Sequence, residues 1–214
     1  MAPEGRIILI PLLVVVIVSN LGLLWLAYPW LSGTVGLLWV LVGISFIFFR
    51  DPVRQLPEDS QAVVSPADGK VVAIQPIDQD EYIGSGAVQI SIFLSLFNVH
   101  AQRVPSDATV VATSYRRGRF LAAFKSGASK ENEQAITHFT REGSKFTVKQ
   151  IAGFIARRII CYMAPNSAAR RGDRLGFIRF GSRVDLIVPA DFQLLVQAGM
   201  RVKGATTIIG YFVS

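Results

Sequence analysis

The pattern of apolar and polar positions changes once along the chain. From Ile7 to Phe49 no residue is charged, and these forty-three positions are more than the about 20 that one helix needs to cross a bilayer. Tyr28-Pro29-Trp30 and Ser32-Gly33 interrupt the run with residues that break helices and aromatics that suit a water interface. The pattern therefore predicts a helical hairpin within 1–50, Ile7 to Ala27 followed by Leu31 to Phe49. A signal peptide fits poorly, because its apolar core is about 7 to 15 residues and is not followed by a second one.

After Arg50 the texture becomes that of a linker over 51–61 and then of short strands. Val63 to Ser65, Val71 to Ile74, Val88 to Leu94, Ala108 to Ala112, Phe146 to Val148, Leu175 to Phe180 and Arg183 to Val188 are β-branched or alternating runs bounded by Gly, Pro, Asp or Ser. Ile151 to Ile160 has helix-like spacing weakened by Gly153, so a strand stays open there. Gln134 to Arg141 is polar and reads as a loop. The expected fold is mainly β (α+β), a compact β-sandwich over 62–214 behind the N-terminal hydrophobic hairpin. Val64 to Val72 and Val196 to Gly204 both read as strand, Gly-containing turn, strand, and weakly resemble the β-sandwiches of lipoyl and biotinyl carrier domains. Lys70 and Lys203 lack the flanking residues of a carrier lysine, so only the sandwich is taken from that likeness.

Charge sharpens the picture. The net charge is +7, and arginines gather at 50 and 54, at 116, 117 and 119, at 157 and 158, and at 170, 171 and 174. Basic residues beside a bilayer gain about 1 kcal/mol each from anionic headgroups. With an apolar hairpin in the same chain, a membrane is the expected partner, and no basic-aromatic motif points to nucleic acid. Arg6 before the hairpin and Arg50 and Arg54 after it put both ends on the positive, cytoplasmic side of the cell's inner membrane. One cysteine, Cys161, excludes an internal disulfide, and with two histidines in the chain no metal site is expected.

The candidate chemistry centres on Phe180-Gly181-Ser182-Arg183-Val184-Asp185-Leu186. A Gly-Ser pair is ordinarily a turn. It can also be a self-processing site, provided the serine has a base and the base a carboxylate. His100, at the end of an apolar strand, is the better candidate base, and His138 lies in the polar stretch. Asp68, in an Ala-Asp-Gly turn, offers the carboxylate. Ser182 is not in a G-x-S-x-G elbow, which weakens the reading as a membrane-tethered serine hydrolase. A non-catalytic lipid-binding β-sandwich is the third reading.

Several segments together carry a resemblance. Phe49-Arg50-Asp51-Pro52, Ser65-Pro66-Ala67-Asp68-Gly69, Phe97-Asn98-Val99-His100 with Arg103-Val104-Pro105, Ala128 to Glu133, Gln150 to Gly153 with Ala156-Arg157-Arg158, and Phe180-Gly181-Ser182-Arg183 resemble, in order, the phosphatidylserine decarboxylases. The likeness is strongest to their short, membrane-anchored branch. It implies a proenzyme that cleaves itself between Gly181 and Ser182 into chains 1–181 and 182–214, Ser182 becoming a covalent pyruvoyl group. It implies a processing triad of Asp68, His100 and Ser182. It further implies that the ketone forms a Schiff base with phosphatidylserine, that CO₂ leaves, and that phosphatidylethanolamine is released at the membrane surface, with His100 returning the proton. The two cleaved chains would stay together as a heterodimer, open to further self-association. Longer members carry two histidines in this region; here His100 matches the first and Arg103 occupies the place of the second.

Overall fold

A computed structural model describes residues 1–26, 29–121, 128–153, 158–179 and 182–213 of the chain. Its contacts divide it into two units, Met1–Pro52 and Val53–Ser214. The first holds two helices, Arg6–Leu26 and Pro29–Phe48. Pro29 and Ser32-Gly33, expected to break the chain, lie inside the second helix, proline at its first residue, where no hydrogen bond is lost. Ala27, the expected last residue of the first helix, and Tyr28, an expected turn residue, lie outside the described residues. The stretch Pro3–Trp25 is long and apolar enough to cross a membrane, and Ser32–Phe48 is a shorter apolar helix. Leu24 and Trp25 are 80% and 89% exposed, so apolar surface faces outward as it does in a segment made for lipid.

The second unit is mostly β, as its alternation predicts. Its main sheet is antiparallel, curled and eight-stranded. In spatial order the strands are Arg201–Val202, Gly69–Asp80, Gly84–Leu94, Ser182–Pro189, Ser144–Ala152, Gln134–Arg141, Ala108–Arg116 and Ala168–Ala169. A second sheet pairs Ala101–Arg103 with Arg174–Ile178 and that strand with Ile159–Cys161. A third joins Val63–Val64, Ile208–Tyr211 and Gln193–Leu194.

Two expectations are corrected here. Gln134–Arg141 is a strand inside the main sheet rather than a loop: Ala135, Thr137 and Phe139 share the core face, and Gln134, Ile136 and His138 lie on the other. Ile151 and Ala152 end one strand and Ile159–Cys161 forms another, so the ends of the helix-like stretch are extended; residues 154–157 lie outside the described residues. The apolar spacing there came from two strands, each with its own period of two.

The core lies on one face of the main sheet, where Ile90, Ile92 and Leu94, Val184, Leu186 and Val188, and Phe146 and Val148 pack with Leu175, Ile178 and Ile209. Phe139 and Phe146 face each other across their strands with rings stacked 4.8 Å apart. Burying side chains of this size stabilises by about 1.5–3 kcal/mol each. Ser182–Pro189, in the middle of the sheet, is buried along nearly its whole length on both faces.

Candidate active site

Ser182 is the first residue of that central strand. It stands opposite Leu94 on one side and Ala152 on the other. The side-chain alternation of a strand turns Ser182 toward the core face together with Val184 and Leu186. The residue is fully buried, and its Oγ has no hydrogen-bond partner among the described residues. An uncompensated buried hydroxyl costs about 1–3 kcal/mol, so its retention needs a reason other than stability.

The described strand that precedes Ser182 in the chain belongs to a different sheet. Arg174–Ile178 is the middle strand of the second sheet, the N–H of Ile178 bonds the carbonyl of His100 at 3.3 Å, and that of Arg179 bonds Arg158 at 3.3 Å. The backbone therefore passes from one sheet to the other between Arg179 and Ser182. Gly181 lies outside the described residues.

His100 directly precedes the second sheet's strand Ala101–Arg103 and is fully buried. Its Nδ1 is 2.9 Å from the carbonyl oxygen of Asn98. A carbonyl can only accept, so in the neutral ring Nδ1 carries the hydrogen and Nε2 the basic lone pair. Two buried glutamines tie this histidine to the main sheet. Gln102 donates to the carbonyl of His100 at 2.7 Å, and Gln150 donates to Gln102 Oε1 at 3.0 Å and to the carbonyl of Ile160 at 3.3 Å. Gln150 stands opposite Val184 on the strand next to Ser182. Gly176 makes room for this bridge: a Cβ there would lie 2.5 Å from Gln150 Nε2 and 2.2 Å from the carbonyl oxygen of Ile160.

Asp68 is brought to the same end of the main sheet by register. Lys70, Phe93 and Arg183 form one row across three strands, so the next row holds Gly69, Leu94 and Ser182. With strands about 4.8 Å apart, the backbone at Gly69 is about 10 Å from Ser182. A Cβ at Gly69 would meet the carbonyl of Phe93 at 2.2 Å, which is why the residue after Asp68 has none. The carboxylate of Asp68 accepts the N–H of Gly204 at 2.7 Å and pairs with Arg54 Nη2 at 2.7 Å. The 66–68 turn is also tied to the second sheet, where the N–H of Arg103 donates to the carbonyl of Pro66 at 2.9 Å. The fold thus gathers Ser182, His100 and Asp68 at one end of the sheet, with Asp68 held by Arg54 and Gly204. His138, the other candidate base, is two strands away from that of Ser182, bonded to Thr147 Oγ1 at 2.8 Å and tilted against Tyr82 with ring centroids 4.5 Å apart.

Comparisons with known proteins bear on the family of the chain. A model of the phosphatidylserine decarboxylase family matches residues 44–210. The chain belongs to that family. A phosphatidylserine decarboxylase proenzyme of Aromatoleum aromaticum is 46% identical over 172 residues, 80% of each chain. One from Neisseria meningitidis serogroup C is 44% identical over 172 residues, 80% of this chain and 64% of its own. One from Desulfotalea psychrophila is 44% identical over 167 residues, 78% of each. The chain is accordingly a phosphatidylserine decarboxylase by family.

Around the candidate site lie residues whose roles sequence reading did not bring out. Arg183 and Asp185 form a buried ion pair at 2.6 Å, 4% and 0% exposed. Arg183 also donates to Ser91 Oγ at 2.6 Å, and Asp185 accepts from Ser129 Oγ at 2.7 Å. The pair fixes the residue that follows Ser182 to the neighbouring strand. Its signal was available in two opposite charges spaced two apart in an apolar strand. Arg54 had drawn notice as a basic residue following the apolar hairpin, and nothing local marked it as the partner of Asp68. Gln150 stood in one of the family-like segments and Gln102 in none, and nothing local marked the two as a bridge, since their bond crosses between sheets 48 residues apart.

Proposed function

We propose that this decarboxylase matures by cleaving itself between Gly181 and Ser182 and works on phosphatidylserine at a membrane surface. The observation that carries the reading is Ser182: a fully buried hydroxyl without a partner among the described residues, at the point where the chain leaves one sheet for another, on the same sheet end as His100 and Asp68. A buried hydroxyl with no hydrogen-bond role is costly in a finished structure and suits a group that is consumed.

His100 takes the hydroxyl proton of Ser182 through Nε2, held in that tautomer by Asn98. Oγ attacks the Gly181 carbonyl and the peptide C–N bond breaks as the imidazolium of His100 gives its proton to the departing nitrogen of residue 182, leaving an ester and a free amine. Elimination then removes the Cα proton of residue 182 to a base and breaks its Cβ–Oγ bond, releasing Gly181 as a carboxylate and leaving dehydroalanine. One water converts its imine tautomer to a ketone and frees ammonia. Asp68 contributes negative charge at this end of the sheet, and Arg54 together with Gly204 sets its orientation. The pyruvoyl group so formed supplies a carbonyl electron sink for the electrons left by loss of CO₂. Residues 182 onward hold that group, and His100 returns a proton to the substrate carbon. The N-terminal apolar helices anchor the enzyme in the cell's inner membrane with the β domain in the cytoplasm, a reading supported by Arg6, Arg50 and Arg54 at their ends.

The intact mass of the C-terminal fragment is the test. The expected mass is that of residues 182–214 with pyruvate in place of serine, absent from Ser182→Ala, which stays one chain. A wild-type protein that stays whole and is labelled at Ser182 by a fluorophosphonate would instead make it a serine hydrolase and overturn the reading.

A further inference from the structure

The turn that leads to His100 also carries the most exposed aromatic side chain of the β domain among the described residues. Gly84–Leu94 ends opposite Ser182, and the chain then reverses over Ser95-Leu96-Phe97-Asn98. Asn98 closes this turn twice, its Oδ1 accepting the N–H of Ser95 at 2.8 Å and the Ser95 hydroxyl at 2.7 Å, while its own N–H donates to the Ser95 carbonyl at 3.0 Å. The Asn98 carbonyl meets His100 Nδ1. The tip of this braced turn shows Leu96 and Phe97 to solvent, 44% and 79% exposed. Two adjacent large apolar side chains this exposed on a braced turn cost solubility.

One strand over, the same sheet end carries charge. Lys70 stands directly opposite Arg201, and both are exposed, as is Lys203. Like charges in register across a strand pair repel, and neither Lys70 nor Arg201 has an acidic partner among the described residues. An apolar tip beside an unneutralised cation pair is complementary to one surface, that of an anionic phospholipid bilayer. Its phosphates meet the cations, and its acyl boundary takes the aromatic ring.

We infer that the Ser182 end of the main sheet is a bilayer-docking face, with Phe97 and Leu96 inserted below the headgroups and Lys70 and Arg201 against the phosphates. The inference rests on the proposed membrane function and deepens it. An anchor keeps the enzyme on the membrane, whereas this face sets its orientation and opens the reacting residues toward the lipid. Because Asn98 joins the tip to His100, insertion and the reacting site move as one rigid piece.

Full-length protein in phosphatidylglycerol-containing vesicles tests this. A polarity-sensitive fluorophore is placed at Phe97→Cys in a Cys161→Ala background, with Ser144→Cys as reference. Ser144 begins the strand that ends at Ala152 beside Ser182, eight residues or about 26 Å away at 3.3 Å per residue. The expected result is a blue-shifted probe at 97, quenched by lipid-borne nitroxide, and a water-like probe at 144. Equal, water-like behaviour at both positions overturns the inference. A second measurement compares two substrates. Phe97→Ser is expected to lose at least fivefold in CO₂ release from phosphatidylserine in vesicles while matching wild type on a short-chain phosphatidylserine dissolved as monomers. Equal loss on both would make Phe97 a structural residue and overturn the docking role. A wild type inactive on both lipids would refute the proposed function, and the quenching comparison would still decide the docking.

Discussion

Arg183 and Asp185 are two residues apart on a strand, so their side chains leave it on one side, and the structure buries that side. Charges removed from water cost several kcal/mol each unless paired, and this pair is completed by the hydroxyls of Ser91 and Ser129. Removing one partner strands the other, whereas replacing both with apolar groups of like volume is often neutral. In the non-cleaving Ser182→Ala chain, Arg183→Met is therefore expected to lower the unfolding free energy by about 3–5 kcal/mol, and Arg183→Met with Asp185→Leu to recover at least half of that. Urea unfolding followed by circular dichroism measures both. A double variant as unstable as the single one would show that the pair supplies net stability. The sequence displayed the two opposite charges and their shared side of the strand. It did not display that this side is covered, because burial depends on what packs there from elsewhere.

At the scale of elements, Gln134–Arg141 shows how a polar strand hides in a sequence. Its core side, Ala135, Thr137 and Phe139, is only partly apolar, and its other side carries Gln134 and His138, so the alternation is faint while the pairing with two neighbours is complete. His138 lies against Tyr82 from the turn after Gly69–Asp80 and against Thr147 on the adjacent strand. Burial pushes its pKa below the ordinary 6.5, and Lys149 acts in the same direction, outweighing the opposite pull of Asp80 and Glu81. The unfolded chain therefore binds this proton at a higher pH than the folded one. The contribution of His138 is complete above pH of about 6.5 and is lost as the pH falls through the lower, folded value. Wild-type protein is expected to melt at lower temperature as the pH goes from 7 to 5, with a shallower decline in His138→Gln. Parallel declines in the two proteins would assign the pH dependence to other groups.

For the whole molecule, the proposed cleavage falls inside the fold rather than at its edge. Residues 182–214 supply the central strand of the main sheet, the edge strand Arg201–Val202, and Ile208–Tyr211, which pairs with Val63–Val64. Asp68 on one side of the cut bonds the backbone of Gly204 on the other. The two products are thus expected to co-elute in size-exclusion chromatography under native conditions, even at high salt, and to part only in denaturant. Elution of a free 182–214 fragment in native buffer would contradict this. The strength of that association comes from backbone pairing and apolar burial, and neither depends on the peptide bond between 181 and 182.

The sequence by itself determined what is local. A charge-free apolar run, strands with a period of two, and a Gly-Ser pair within an ordered series of family motifs are properties of neighbouring residues, and they sufficed for the β class, the apolar helices and the chemistry suspected at Ser182. The tertiary structure alone decided what depends on distant partners. It set the row that aligns Gly69 with Ser182, the Gln150–Gln102 bridge to His100, the pairing of Arg54 with Asp68, the exposure of Phe97 and the register that puts Lys70 opposite Arg201. Each joins segments from different strands or sheets. Register and burial are fixed by the packing of the whole domain, and no window of sequence contains them.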